Sequence, residues 1–149
     1  MKYTYLLLLL AAISGAVLPI QAGLNAKMGK AVGDPVYAAL ISFVIGSIGL
    51  FIYVLMSKTE LTQISNATMV NWTVWTAGLL GAFYVAAVII LVPKIGAALT
   101  FGLVVMGQLS ISLLLDHFGL LGMPVHSINW QRIVGVLFMI GGVLLIRNF

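Results

Sequence analysis

The sequence predicts an all-α integral membrane protein with five transmembrane helices. Hydrophobic residues make up 62% of the 149 residues and charged residues only 7%, and the mean hydropathy is +1.20. Soluble domains carry about 25% charged residues and cannot hide this much apolar surface at such a length. Five apolar runs are long enough to cross a hydrocarbon core of about 30 Å, which requires roughly 20 helical residues. Helices are expected because single strands leave backbone groups unpaired in lipid.

The first span is predicted at residues 3–22. One lysine, an apolar core and small residues near Ala22 also fit a signal peptide. The run is long enough to span the membrane, and we expect it to be retained. Pro19 lies inside the run, where a proline removes a helical hydrogen bond, interrupts the helix and frees the carbonyl of Gly15. Pro19 is therefore a candidate hinge.

The other spans are predicted at residues 35–56, 72–92, 96–115 and 130–146. The third and fourth are joined by PKIG, residues 93–96, and so short a connection predicts an antiparallel hairpin. Aromatic residues that fall on one side of the predicted bilayer are interpreted as an interfacial belt: Tyr3, Tyr5, Trp72, Trp75 and Trp130. Small residues at helical spacing predict close helix packing: Ala38, Ser42 and Gly46 in the second span, Gly78 and Ala82 in the third, and Gly135 and Gly142 in the fifth.

The cations of the chain are divided almost equally between the two sides of the membrane. One side holds three, Lys2, Lys58 and Arg132, and the other holds four, Lys27, Lys30, Lys94 and Arg147. Orientation normally follows an excess of Lys and Arg in cytoplasmic loops. This balance predicts dual topology, and two oppositely inserted copies can form an antiparallel homodimer of ten spans. Inverted repeats of this kind are common in secondary transporters. The alternative is a fixed orientation with the four-cation side inside.

Polar residues inside the spans are the candidate solute contacts. In the fourth span Gln108, Ser112 and Asp116 recur every four residues and share one helix face, with Gln108 about 18 Å along the helix. Glutamine facing lipid is costly, so this face should meet protein or a wet cavity. Gln21 and Asn25 share a face of the first span, and Tyr84 lies in the middle of the third. The alternative for Gln108 is a hydrogen bond to a neighbouring helix.

Asp116 and Arg132 form a predicted structural ion pair. Asp116 lies at the C-terminal end of the fourth span and Arg132 at the N-terminal end of the fifth, positions where the helix dipole disfavours each charge. We expect them to pair and fasten the last two helices. The alternative is proton coupling by Asp116 together with His117.

Two stretches resemble a known bacterial family. PIQAGLNAKMGKAVGDP (residues 19–35) and PKIGAALTFGLVVMGQLSISLLLDHFGLLG (residues 93–122) are similar to the YdcZ-like family of five-span inner-membrane exporters in the drug/metabolite transporter superfamily. The resemblance covers essentially the whole chain, 1–149. It implies a single five-helix domain that acts as a half-transporter, either as an antiparallel homodimer or paired with the product of a neighbouring gene.

The resemblance also places the family's signature segments on a small set of residues of this chain: Gln21, Asn25, Gln108, Asp116 and His117. The four-helix multidrug relatives carry a glutamate in their first helix, and this chain has none there. Proton-coupled export of drug-like cations by that mechanism is therefore not expected.

The sequence thus predicts a transporter that moves a small polar or amphipathic solute by alternating access. Gln108, Ser112, Gln21, Asn25 and Tyr84 are expected to line a central cavity between two inverted copies. The alternatives are one half of a heterodimer and a non-transporting structural subunit. No zinc spacing, nucleotide-binding loop or nucleophile constellation is present in the sequence, so we expect no enzyme activity, cofactor or metal. The scattered cations do not suggest a nucleic-acid partner.

Overall fold

The computed structural model describes residues 2–57 and 67–148 of the chain, with side chains from Thr4 onward. Five helical segments are long and apolar enough to cross a membrane. They are α1 (Lys2–Val32), α2 (Pro35–Met56), the pair α3 (Trp72–Trp75) and α4 (Ala77–Ile95), α5 (Ala97–Phe118) and α6 (Trp130–Asn148). These ranges contain no strand, and the prediction of five helical spans is confirmed. Lys58 and the side chains of Lys2 and Tyr3 lie outside the described part.

Helix α1 is ten residues longer at its C-terminal end than the predicted span. The segment after Ala22 was expected to be a connection, but it continues the helix to Val32. Its 31 residues correspond to about 46 Å, well beyond the hydrocarbon thickness. Most residues of this extension are good helix formers, and Gly33 ends the helix with a φ of +81°. The helix also runs without interruption through Pro19, so the expected break is absent, and the hinge stays a proposal.

The turn between α1 and α2 consists of Gly33 and Asp34. The Asp34 carboxylate caps α2 by accepting hydrogen bonds from the N–H groups of Val36, at 2.6 Å, and Tyr37, at 3.2 Å. Pro35 follows at the first helical position, where its missing N–H costs nothing. The predicted start of the second span at residue 35 is therefore confirmed, and the two-residue turn makes α1 and α2 antiparallel neighbours.

The connection between α4 and α5 is a single residue. Pro93 and Lys94, which were predicted to lie in a turn, belong to the last turn of α4. The turn itself is Gly96, with φ +83° and ψ 156°, a backbone conformation that is essentially restricted to glycine. The hairpin of the third and fourth spans stays a prediction.

The described helices form two compact units, Met1–Pro93 and Lys94–Phe149. In the first unit, Ala38 and Ala39 of α2 and Ile89 of α4 form a small buried core. A Cβ built on Gly29 of α1 would lie 3.6 Å from Ile89 Cγ2 and 3.7 Å from Ala38 Cβ. Small residues thus let α1, α2 and α4 approach closely at this level.

In the second unit, α5 packs against α6 through a glycine. A Cβ built on Gly102 would lie only 3.0 Å from Cγ2 of Val143, which is 6% exposed. Thr100, two residues before Gly102 on α5, is the most buried polar residue of the described chain. Its hydroxyl donates to the Gly96 carbonyl at 2.7 Å. Gly102 is therefore a packing glycine, which the sequence patterns did not single out.

The predicted small-residue faces have different environments. Ala38 is buried in the first unit's core, at 1% exposure. Four of the predicted packing glycines instead have open space where a Cβ would lie, as judged within residues 2–57 and 67–148: Gly46, Gly78, Gly135 and Gly142. These positions leave room beside their helices for another group.

Candidate functional site

The antiparallel register of α1 and α2 brings polar side chains together. Gly29 faces Ala38 across the two helices. Asn25 lies one helical turn before Gly29, and Ser42 lies one helical turn after Ala38, so Asn25 is level with Ser42. One more helical turn along each helix, Gln21 is level with Gly46. Glycine at position 46 leaves the space opposite Gln21 empty. A groove therefore opens between the helices where the two amides lie.

Two adjoining cavities occupy this groove. The first has a volume of about 210 Å³, and the second of about 150 Å³. Ser42 lines both of them. The remaining lining of the first is Gln21, Phe43, Gly46, Ser47, Leu50 and Val85, and that of the second is Leu24, Asn25, Met28, Ala38, Ile41 and Ile45. Gln21 and Asn25 were predicted to share a face, and the structure brings them to the same groove.

The polar side chains of the groove have no protein partner among the described residues. Two serines elsewhere in the spans satisfy their hydroxyls locally: Ser14 donates to the Leu10 carbonyl at 2.8 Å, and Ser110 to the Met106 carbonyl at 2.9 Å. Within the described chain, Gln21, Asn25, Ser42 and Ser47 make no side-chain hydrogen bond. Polar groups left unpaired at membrane depth are costly. These four side chains are available to a ligand or to water.

The groove contains no formal charge. Its walls combine amides and hydroxyls with apolar surface from Phe43, Leu50 and Val85. Amides offer both donors and acceptors, and each hydroxyl offers one donor and two lone pairs. Such a lining can orient a neutral polar or amphipathic molecule, but it supplies no counter-charge to a buried ion.

Tyr84 on α4 is the third predicted contact in the first unit. Its hydroxyl oxygen is buried and has no hydrogen-bond partner among the described residues. The next residue, Val85, lines the cavity that contains Gln21. A buried hydroxyl without a partner carries a desolvation penalty of about 1–3 kcal/mol. Tyr84 therefore has an unused hydrogen-bonding group and is the chain neighbour of a residue that lines the groove.

Gln108 and Ser112 lie in the second unit, one turn apart on α5. Both side chains are exposed in the single chain, and neither makes a hydrogen bond within the described residues. Neighbouring Ser110 differs because its hydroxyl is already bonded to the helix backbone. Of the predicted polar face of α5, Gln108 and Ser112 are thus unpartnered among the described residues. The expectation that one chamber collects all five predicted residues stays a proposal.

Asp116 and Arg132 lie within ion-pair distance. Arg132 Nη1 is 3.4 Å from Asp116 Oδ2, and about a third of each side chain is exposed. Asp116 lies in the last turn of α5 and Arg132 in the first turn of α6, as predicted. Asn129 precedes α6 and accepts from the Arg132 N–H at 2.9 Å. The contact joins the two helices at one end of the second unit.

His117 contacts the connector between α5 and α6, residues 119–129. Its Nδ1 accepts a hydrogen bond from the Ile128 N–H at 3.2 Å. Two further bonds hold the same connector: the His126 N–H donates to the Asp116 carbonyl at 2.9 Å, and Arg132 Nη1 donates to the His126 carbonyl at 3.1 Å. Asp116, His117 and Arg132 therefore form one cluster, which we call the rim cluster.

Sequence reasoning did not predict that Ser42, Ser47 and Gly46 line this groove. Ser42 and Gly46 were interpreted as packing positions because they follow Ala38 at four-residue spacing. The available signal was the short Gly33–Asp34 turn, since a two-residue turn sets the register of an antiparallel pair. Counting outward equally from that turn places Ser42 opposite Asn25 and Gly46 opposite Gln21.

Comparison with known proteins identifies a family of inner membrane proteins. The model of the family described as "Putative inner membrane exporter, YdcZ" matches residues 6–145. The "Inner membrane protein YdcZ" of Escherichia coli (strain K12) is 29% identical over 136 residues, covering 91% of this chain and 91% of that protein. No solved structure is significantly similar to the chain. The chain is a multi-pass inner membrane protein, and it belongs to the YdcZ family.

Proposed function

We propose that this protein exports a small neutral or amphipathic solute across the inner membrane, and that the α1–α2 groove binds the solute. The observation that carries the proposal is the set of unpartnered polar side chains in a groove between two membrane-spanning helices: Gln21, Asn25, Ser42 and Ser47. Ordinary packing would pair or remove such groups, because lipid offers them no hydrogen bonds. The family description, which names an exporter, supports the same function.

Two oppositely inserted copies form the working unit in this proposal. The nearly equal division of cations favours insertion in both orientations. The polar face of α5 and the open glycine positions on α2, α4 and α6 supply surfaces without partners in a single chain. In this proposal the chamber lies between the two copies, and Gln108, Ser112, Gln21, Asn25 and Tyr84 line it. Alternating access follows from rocking of the two copies around that chamber.

The solute site is tested by filling the groove at Gly46. Gly46→Leu places a side chain opposite Gln21, in space that is now empty, whereas Gly49→Leu adds the same side chain to α2 outside the cavity lining. Both variants are purified with the wild type and screened by thermal unfolding against a panel of neutral, zwitterionic, cationic and anionic small molecules. A ligand at about 100 times its Kd stabilises a protein by about 2.7 kcal/mol.

We expect neutral or amphipathic members of the panel to stabilise the wild type and Gly49→Leu, but not Gly46→Leu. Flux of the same compound into proteoliposomes should follow the same order. Equal stabilisation and flux in both leucine variants would place the solute elsewhere. Unchanged flux in Gln21→Leu with an intact fold would remove the amide from the binding role.

Dual insertion is tested with a single cysteine, because the chain has none of its own. Ser127 is exposed in the connector between α5 and α6, so Ser127→Cys should react with a membrane-impermeant maleimide. We expect about half of the protein to be labelled in intact cells and the remainder after permeabilisation. Replacing Lys27 and Lys30 with serine leaves two cations against three and should shift the labelled fraction. Labelling from one side only would contradict the antiparallel homodimer and favour a heterodimer.

A further inference from the structure

One hydrogen bond of the connector at the rim cluster ends on a side-chain nitrogen that can bind a proton instead. Ile128 donates its N–H to His117 Nδ1 at 3.2 Å. The Phe118 ring packs edge-on against the imidazole at a centroid distance of 4.7 Å. By contrast, the bond from the His126 N–H ends on the Asp116 backbone carbonyl, at 2.9 Å. A backbone carbonyl does not change charge in the physiological range, whereas an imidazole does.

We infer that His117 Nδ1 is a proton-binding site and that a proton bound there releases the Ile128 end of the connector. A neutral imidazole has one acceptor nitrogen, so Nδ1 accepts the Ile128 N–H or carries a proton, and it cannot do both. Once protonated, the ring is a donor at both nitrogens and presents an N–H to another N–H. Proton binding and connector closure are therefore mutually exclusive, and the closed connector is favoured at high pH.

The surroundings of His117 limit what a proton bound there releases. His117 lies in the last turn of α5. The other titratable or charged groups at this end of the unit are Asp116 on α5, His126 in the connector and Arg132 on α6. Arg147 lies fifteen residues along α6 from Arg132, about 22 Å away.

The Asp116–Arg132 contact does not depend on His117. The pair at 3.4 Å, and the Arg132 bond to the His126 carbonyl, use atoms that His117 does not touch. Release is therefore confined to the segment around Ser127 and Ile128, while α5 and α6 stay joined. The inference does not rest on the proposed transport function, because it concerns a bond within one chain.

Amide hydrogen exchange of the full-length protein in micelles tests the inference without any solute. Protection factors, which remove the intrinsic pH dependence of exchange, are measured by NMR for Ile128 and His126 at pH 8 and pH 5. Loss of one such hydrogen bond corresponds to roughly a two- to tenfold fall in protection. We expect this fall for Ile128 at pH 5, with His126 unchanged as an internal control.

Three variants separate protonation of His117 from other effects of acid. His117→Asn places an uncharged acceptor near the Nδ1 position, so Ile128 should stay protected at both pH values. His117→Ala removes the acceptor, so Ile128 should be unprotected at both. His126→Asn should behave as the wild type, because only the backbone of His126 is used. Equal protection of Ile128 at pH 8 and pH 5 in the wild type, or a wild-type response in His117→Asn, would overturn the inference.

Discussion

The contact between Gly102 and Val143 makes a quantitative prediction about how α5 and α6 pack. In the variant Gly102→Ala, the new Cβ would lie 3.0 Å from Val143 Cγ2, whereas carbon atoms are most favourably separated by about 3.5–4.0 Å. Val143 is 6% exposed and β-branched, so its side chain has little freedom to turn away. The helices must therefore separate by several tenths of an ångström.

Two terms of opposite sign set the size of this effect. Overpacking of a close contact costs about 1–3 kcal/mol. Replacement of glycine by alanine inside a helix gains about 1 kcal/mol. The matched control is Gly107→Ala in the same helix, because nothing among the described residues lies within 4 Å of its Cβ. We expect Gly107→Ala to be neutral or stabilising, and Gly102→Ala to be less stable than this control by about 1–3 kcal/mol.

The assay is equilibrium unfolding of purified protein in mixed micelles, with the free energy of unfolding obtained for each variant. Val143→Ala removes the methyl groups that the new Cβ would meet. The double variant Gly102→Ala with Val143→Ala should therefore be more stable than the sum of the single effects, by about 1 kcal/mol. If Gly102→Ala and Gly107→Ala unfold with the same free energy, or if the cycle shows no coupling, the proposed close approach of α5 and α6 is wrong.

Three further predictions concern the helix ends. Gly119→Ala introduces a Cβ 2.7 Å from Val125 Cγ2 at a residue with φ +61°, so it should lower the free energy of unfolding by about 1–3 kcal/mol, whereas alanine at open Gly141 should not. Asp34→Ala removes the acceptor for the Val36 and Tyr37 N–H groups and should lower the stability measured by thermal unfolding by about 0.5–2 kcal/mol, whereas Asp34→Asn should largely restore the cap. An unchanged stability of Asp34→Ala would contradict the capping role. A double-mutant cycle of Asp116→Asn and Arg132→Gln should give a coupling free energy of about 0.2–1 kcal/mol that falls with added salt, since both side chains are about one-third exposed. A coupling free energy of zero at low salt would show that the contact does not fasten the helices.

Several features of this protein were predictable because they depend only on local sequence. The length and apolar content of the five runs predict membrane-spanning helices, since a helix satisfies its own backbone hydrogen bonds in lipid and a single strand does not. The four-residue spacing of Gln21 and Asn25 places them on one face of any helix. Asp116 and Arg132 were expected to form a contact because they lie at the end of the fourth and the start of the fifth predicted span. In the structure their nearest charged atoms are 3.4 Å apart.

Boundaries were less predictable where the polarity of a segment and its backbone preference disagree. The residues after Ala22 are polar enough to end an apolar run, yet they continue α1 for another ten residues. Pro19 and Pro93 were expected to interrupt or follow helices, and both lie inside them. Packing of α1 against α2 at Gly29 and Ala38 favours the longer helix, and hydropathy does not report such contacts.

The tertiary structure decided which side chains face one another. Ser42 lies opposite Asn25 and Gly46 opposite Gln21 because a two-residue turn sets the register of α1 and α2. The acceptor role of His117 Nδ1 depends on the path of the connector, which brings back Ile128, eleven residues further along the chain. Helical periodicity determines which residues share a face of one helix, but not how two helices rotate and slide against each other. That choice follows from the close approach of small residues such as Gly29 and Gly102, whose partners lie on another helix.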